Sequence, residues 1–127
     1  MIYARIAAVT YVAWGILHLG AAYGVYQLGT TLDAGILQGR IYQGAWNLTF
    51  FALFGAVVGI VYIWRNNRLG YWLNAVSAGD IGFIVTLLVP GTVPLVPGAL
   101  GPVLWIIALA LSTIALKGAP HSQRQPT

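Results

Sequence analysis

Four stretches of this chain, residues 6–28, 43–64, 69–89 and 102–116, contain between them a single Asp, Glu, Lys or Arg side chain, that of Asp80. Crossing the hydrocarbon core of a bilayer takes about 20 consecutive apolar residues in a helix. The helix is required because backbone N–H and C=O groups find no water there and must satisfy one another. The first three stretches meet that length. The fourth is short, and reaches across by tilting, by thinning the bilayer or by recruiting residues 98–101. The expected fold is an all-α integral membrane protein: one domain over residues 1–127, a four-transmembrane-helix antiparallel bundle, with a polar tail at 118–127. Composition agrees, since charged residues are 6% and hydrophobic residues 59% of the chain, against roughly 25% charged in an ordinary soluble domain. The bilayer is therefore its first expected partner.

The net charge of +4 does not point to nucleic acid. The basic residues stand singly or in pairs at the ends of apolar runs, where they act as topology signals rather than as a phosphate-binding patch. Arg5, Arg65, Arg68, Lys117 and Arg124 fall on one side of the expected bundle and Arg40 alone on the other. By the positive-inside rule both termini are cytoplasmic, and a bacterial-type plasma membrane is the expected location. A cleaved signal peptide is not expected, because 6–28 is longer than an h-region and no small-residue cleavage site follows it. With no cysteine, disulfides, thiolate metal sites and dithiol chemistry are excluded. One intramembrane histidine and two acids do not make a metal site, which usually takes three or four donors.

The connections fit the same plan. RNNR (65–68) reads as a tight turn that makes the second and third helices antiparallel neighbours. GTTLDAGILQGR (29–40) joins the first two. VPGTVPLVPGALGP (89–102), with prolines at 90, 94, 97 and 102, is expected to be non-helical and packed on the rim of the bundle. The glycine pairs Gly20/Gly24 and Gly55/Gly59 mark close helix contacts, within the bundle or across a homo-oligomer.

Two ionisable groups other than tyrosines stand inside the apolar runs, His18 and Asp80. Both fall near the midplane when counted from the ends of their runs at 1.5 Å per residue. A carboxyl there costs about 2.5–3.5 kcal/mol on insertion scales, so each is the other's expected partner. Around them, helical spacing defines three more stripes. Arg40, Gln43, Asn47, Phe50, Phe51 and Phe54 share one face of the second helix. Tyr11, Trp14, His18 and Ala22 share one of the first, and Trp105 aligns with Ser112 on the fourth. Facing inward, with Ser77 beside Asp80, these stripes would line a cavity that is polar at its outer mouth and aromatic along its walls, the makeup of a small-molecule pocket. Asn47 and Asn74 read more simply as interhelical glue, Arg40 equally as an interfacial anchor, and Trp64, Tyr71 and Trp72 as belt residues.

The functional reading is an intramembrane protein that binds or converts a lipophilic small molecule by cofactor-free acid–base chemistry such as isomerisation, cyclisation or epoxide opening. Asp80 and His18 are its catalytic pair; Asn47, Arg40, Gln43, Trp14, Trp46, Ser77 and Trp105 contact the substrate. Two readings stand beside it: a proton- or cation-coupled transporter or channel subunit, and an accessory subunit of a membrane complex. No motif is specific enough to assign a family.

Overall fold

The computed structural model describes residues 2–75, 84–85, 88 and 95–118, with the backbone alone at 75 and 95–98. Ser77, Asp80, the far end of the third span and the tail from 119 onward lie outside the described residues. Among those described the chain is all-helical: α1 (Ile2–Thr30), α2 (Ile36–Val61), a short 3-10 turn (Ile63–Arg65), α3 (Arg68–Ala75) and α4 (Leu95–Gly118). Three helices in this set are long and apolar enough to cross a membrane, and the protein is a helical membrane protein.

α1 is the central element. It packs along α2 on one side and α4 on the other, and α3 bridges α2 and α4. Its buried stripe, Ala4, Ala7, Ala8, Tyr11, Trp14, Gly15, Ala22 and Gly29, recurs at the three- and four-residue intervals of one helix face. Lipid tails are as apolar as leucine, so helices in a bilayer associate through close packing and hydrogen bonds rather than hydrophobic expulsion, and small residues allow the approach. α2 presents Ala45, Ala52, Gly55, Val58 and Gly59 to that stripe. A methyl group at Gly15 would sit 2.7 Å from the Ala52 carbonyl oxygen, and one at Gly55 2.6 Å from the Trp14 ring. Both positions need glycine because two backbones, or a backbone and an indole, already occupy the space. Of the two glycine pairs in the sequence, Gly55/Gly59 therefore seats α1, whereas Gly20 and Gly24 are exposed with nothing close to them.

Three boundaries differ from the sequence reading. α1 starts at Ile2 rather than near residue 6. α2 starts at Ile36, so the connection is Thr31–Gly35 rather than 29–40, and Arg40 belongs to the helix. The Gln38 side chain closes the shortened connection: its Nε2 donates to the Gly29 carbonyl at the end of α1 (3.0 Å) and to the Leu32 carbonyl in the loop (3.1 Å), and the Leu32 N–H also donates to Gly29 at 3.2 Å. The largest correction is α4, expected at 102–116 after a non-helical proline segment but helical from Leu95. Pro97 falls in the first turn, where an N–H has no helical acceptor and its absence costs nothing. Pro102 is interior, and the helix continues through it. The result is a 24-residue helix, about 36 Å long, with no shortfall in span.

The RNNR turn is as tight as its sequence implies. Asn66 takes the left-handed conformation (φ 55°, ψ 38°) that asparagine tolerates better than most residues. Its buried side chain donates to the Ala115 carbonyl at 3.0 Å, tying the turn to the last turn of α4. Asn67 Oδ1 accepts the Leu69 N–H at 2.8 Å and caps α3.

Exposed aromatics form two girdles. Tyr3, Trp64 and Trp72 ring the basic end; Tyr23, Tyr26 and Trp46 ring the other. Trp46 lies about 22 Å along α2 from Val61, with Trp64 in the turn just beyond, and Tyr3 and Tyr23 are about 30 Å apart along α1, at 1.5 Å per residue. That spacing equals a hydrocarbon core of about 30 Å with aromatic belts at both surfaces. Tyr71, expected in the belt, instead packs against the core, its hydroxyl 3.0 Å from that of Thr113 on α4.

Candidate functional site

The α1 stripe faces inward as expected. His18 is half-buried where α1 meets α4. Its Nδ1 lies 2.8 Å from the Trp14 carbonyl oxygen one turn earlier. A carbonyl only accepts, so Nδ1 carries the hydrogen, and Nε2 is the position at which the ring gains or loses a proton. The ring leans on the Trp14 indole, centroids 4.2 Å apart and planes tilted by 34°. On its other side a methyl at Gly101 would lie 3.0 Å from Cε1 and 3.4 Å from Nε2. Gly101 therefore lets the imidazole reach the α4 backbone. Measured from the girdles, His18 sits about 7 Å from the membrane centre, on the side away from the basic end, rather than on it.

Below His18, toward the basic end, the interior is polar. Tyr11 and Asn74 are each 1% exposed and are the largest fully buried side chains. Asn74 Nδ2 donates to the Gly55 carbonyl at 3.2 Å, the interhelical role its type suggests. Trp105 Nε1 approaches the Asn74 backbone carbonyl at 3.4 Å, which fixes the indole between α3 and α4. Ser112 is buried as well and donates to the Leu109 carbonyl at 3.0 Å. Two atoms in this region have no hydrogen-bond partner, the Tyr11 hydroxyl and Asn74 Oδ1. The Tyr11 hydroxyl lies near Ser112 but in a geometry that closes no hydrogen bond. A buried polar atom left so costs about 1–3 kcal/mol, and nearly all such atoms in folded proteins are satisfied. Sequence reasoning passed over this cluster because a phenol inside an aromatic stripe looks like packing.

The α2 stripe is not part of it. Arg40, Gln43, Asn47, Phe50 and Phe51 are exposed, and Trp46 is 74% exposed. The expectation that this face looks inward holds only at its end, where Phe54 packs against the core, and is corrected for the rest: α2 turns its small-residue face to α1, and the polar part of the stripe points away. Arg40 Nη1 donates to Gln43 Oε1 at 3.1 Å on that outer surface. Arg40, Gln43 and Asn47 stand at the level of the girdle away from the basic end, where headgroups and water satisfy them, so the polar mouth of the expected cavity is not built from them. Trp14 and Trp105 are buried on either side of the interior cluster; Ser77 and Asp80 lie outside the described residues, and with them the expected His18–Asp80 pairing.

Comparison of the chain with protein families, with curated proteins and with solved structures found no match.

Proposed function

We propose that this membrane protein binds a lipophilic small molecule inside the bundle and moves a proton on it, with His18 and Asp80 as the acid–base pair. The observation that carries the reading is the imidazole itself. It is half-buried within the bilayer and held in one tautomer by the Trp14 carbonyl, with its titrating edge turned toward α4. A group that only fills space needs no such fixing, and ionisable side chains inside membrane helices mark function by default. Asp80 stands six residues after Asn74 in the sequence, and a carboxyl in hydrocarbon needs a partner. Proton relocation of this kind, as in isomerisation, cyclisation or epoxide opening, uses no cofactor. Trp14, Trp105 and Ser77 supply the apolar wall and one hydroxyl. Both termini are cytoplasmic in this reading, and a reporter fused after Thr127 that is active only outside the cell would overturn that orientation.

The testing variant is Asp80→Asn, which keeps the shape and most hydrogen bonds but removes the movable proton. Melting in detergent should hold, while turnover of a lipophilic substrate falls by about 10²-fold or more, the scale of a lost general acid–base. Parent-like turnover would end the proposal and return His18 to packing. A proton-conducting role is the second reading, favoured by the unpartnered Tyr11 hydroxyl and Asn74 Oδ1, which extend the polar interior from His18 toward the basic end. Under it, Asp80→Asn abolishes acidification of dye-loaded liposomes and leaves ligand binding untouched.

A further inference from the structure

A cavity among the described residues belongs to neither reading. It is a groove of about 450 Å³ on the lipid-facing side of α1 and α2, lined by Ala8, Val9, Val12, Ile60 and Trp64. The lining is apolar throughout, so it offers no hydrogen bond to a polar solute. Its shallow end is Trp64, in the girdle at the basic end, and its deep end is Val12, about 10 Å farther into the hydrocarbon by helical rise from Arg5. At the shallow end the Arg5 guanidinium lies 5.3 Å over the Trp64 ring. That contact holds a flexible cation in place, at the depth where lipid phosphates lie. Among the described residues the only side-chain carboxylate is Asp33, in the loop at the opposite end of the bundle, so no described carboxylate neutralises the Arg5 charge. Arg65, Arg68 and Lys117 stand at the same end and add positive potential.

We propose that this groove holds one acyl chain of an anionic phospholipid whose phosphate sits on Arg5. The apolar slot selects a hydrocarbon chain, and the guanidinium donates a fork of two hydrogen bonds to the phosphate oxygens. The surrounding basic residues favour a headgroup with net negative charge over a zwitterionic one. Charge complementarity at the mouth and an apolar trough below it together specify the occupant.

The test uses the full chain in vesicles of phosphatidylcholine mixed with an equal amount of phosphatidylglycerol, with bromine on the acyl chains of one lipid at a time. Bromine quenches tryptophan on contact, and Trp64 is the reporter. Brominated phosphatidylglycerol should occupy the groove about fivefold more readily than brominated phosphatidylcholine, the factor equivalent to about 1 kcal/mol for one arginine at an anionic surface. The excess quenching should vanish in Trp64→Phe, and the lipid preference in Arg5→Gln, an exposed position where folding is not at stake. Val12→Phe, which fills the trough, should weaken quenching by both lipids. Equal quenching by the two lipids, a preference that survives Arg5→Gln, or quenching unchanged by Val12→Phe would each overturn the proposal. Loss of the preference on adding soluble glycerol phosphate would also overturn it, by showing a site for free phosphate instead of a lipid.

Discussion

The two sides of α1 are held by different physics. Toward α2 the contact is dry and tight: glycines and alanines let backbones approach until one added methyl would collide with a carbonyl or an indole. Toward α4 the interior beside α1 is laced with polar groups. Asn74 ties α3 to α2, Trp105 and Thr113 tie α4 to α3, Ser112 bonds within α4, and two buried atoms, the Tyr11 hydroxyl on α1 and Asn74 Oδ1, make no bond. The first side is a structural seam, which gains from having no chemistry and no slack. The second accepts incomplete satisfaction in its interior, the condition under which a site admits water, protons or a polar ligand. His18 stands at the upper edge of that second side, which is why the functional reading is placed there and not on the α2 stripe.

The contrast is easiest to break at the seam. Gly55→Leu drives a side chain into the Trp14 ring and should lower stability in detergent by about 3 kcal/mol, the upper range for overpacking. Gly24→Leu, on the open face of α1, should leave the melting temperature unchanged. Equal effects at both positions would mean that α1 and α2 do not meet as described. On the polar side the expected effect is smaller, and its sign is what matters. Tyr11→Phe removes only a hydroxyl. If that hydroxyl is hydrated from the interior, as a polar path requires, the variant loses about 1 kcal/mol, an ordinary hydrogen bond. A variant more stable than the parent would show the hydroxyl to be desolvated for nothing, and the proton-conducting reading would go with it.

How much of this was legible beforehand depends on what each feature needs. The existence of α1 and α2 follows from length and apolarity alone. Their ends do not, because a helix continues past the hydrocarbon into the headgroups, where Arg40 and Gln38 are as comfortable as in a loop. Proline misled at α4: Pro97 sits in the first turn, where it costs nothing, and the interior Pro102 is tolerated because neighbouring groups and local adjustment re-satisfy the freed backbone in a membrane helix. Helical spacing placed Arg40, Gln43 and Asn47 on one face correctly, but periodicity says nothing about which way a face points. A usable signal was present in the opposite face, where Ala45, Ala52, Gly55 and Gly59 recur, since small residues rather than polar ones form membrane helix contacts. The burial of Asn74 is foreseeable from its type and depth, whereas the isolated Tyr11 hydroxyl depends on its distances to α4 and cannot be read from spacing.

The central claim is that His18 is fixed by the Trp14 carbonyl so that Nε2 is its working nitrogen. Nitrogen-15 spectroscopy of the ring tests it most directly. Histidine-labelled protein carrying His121→Gln, which leaves His18 as the one labelled imidazole, would be measured in a bilayer at neutral pH. The account predicts a hydrogen on Nδ1, with any proton exchange confined to Nε2 and altered by Asp80→Asn. A spectrum showing the neutral ring with its hydrogen on Nε2 and Nδ1 unprotonated would contradict it.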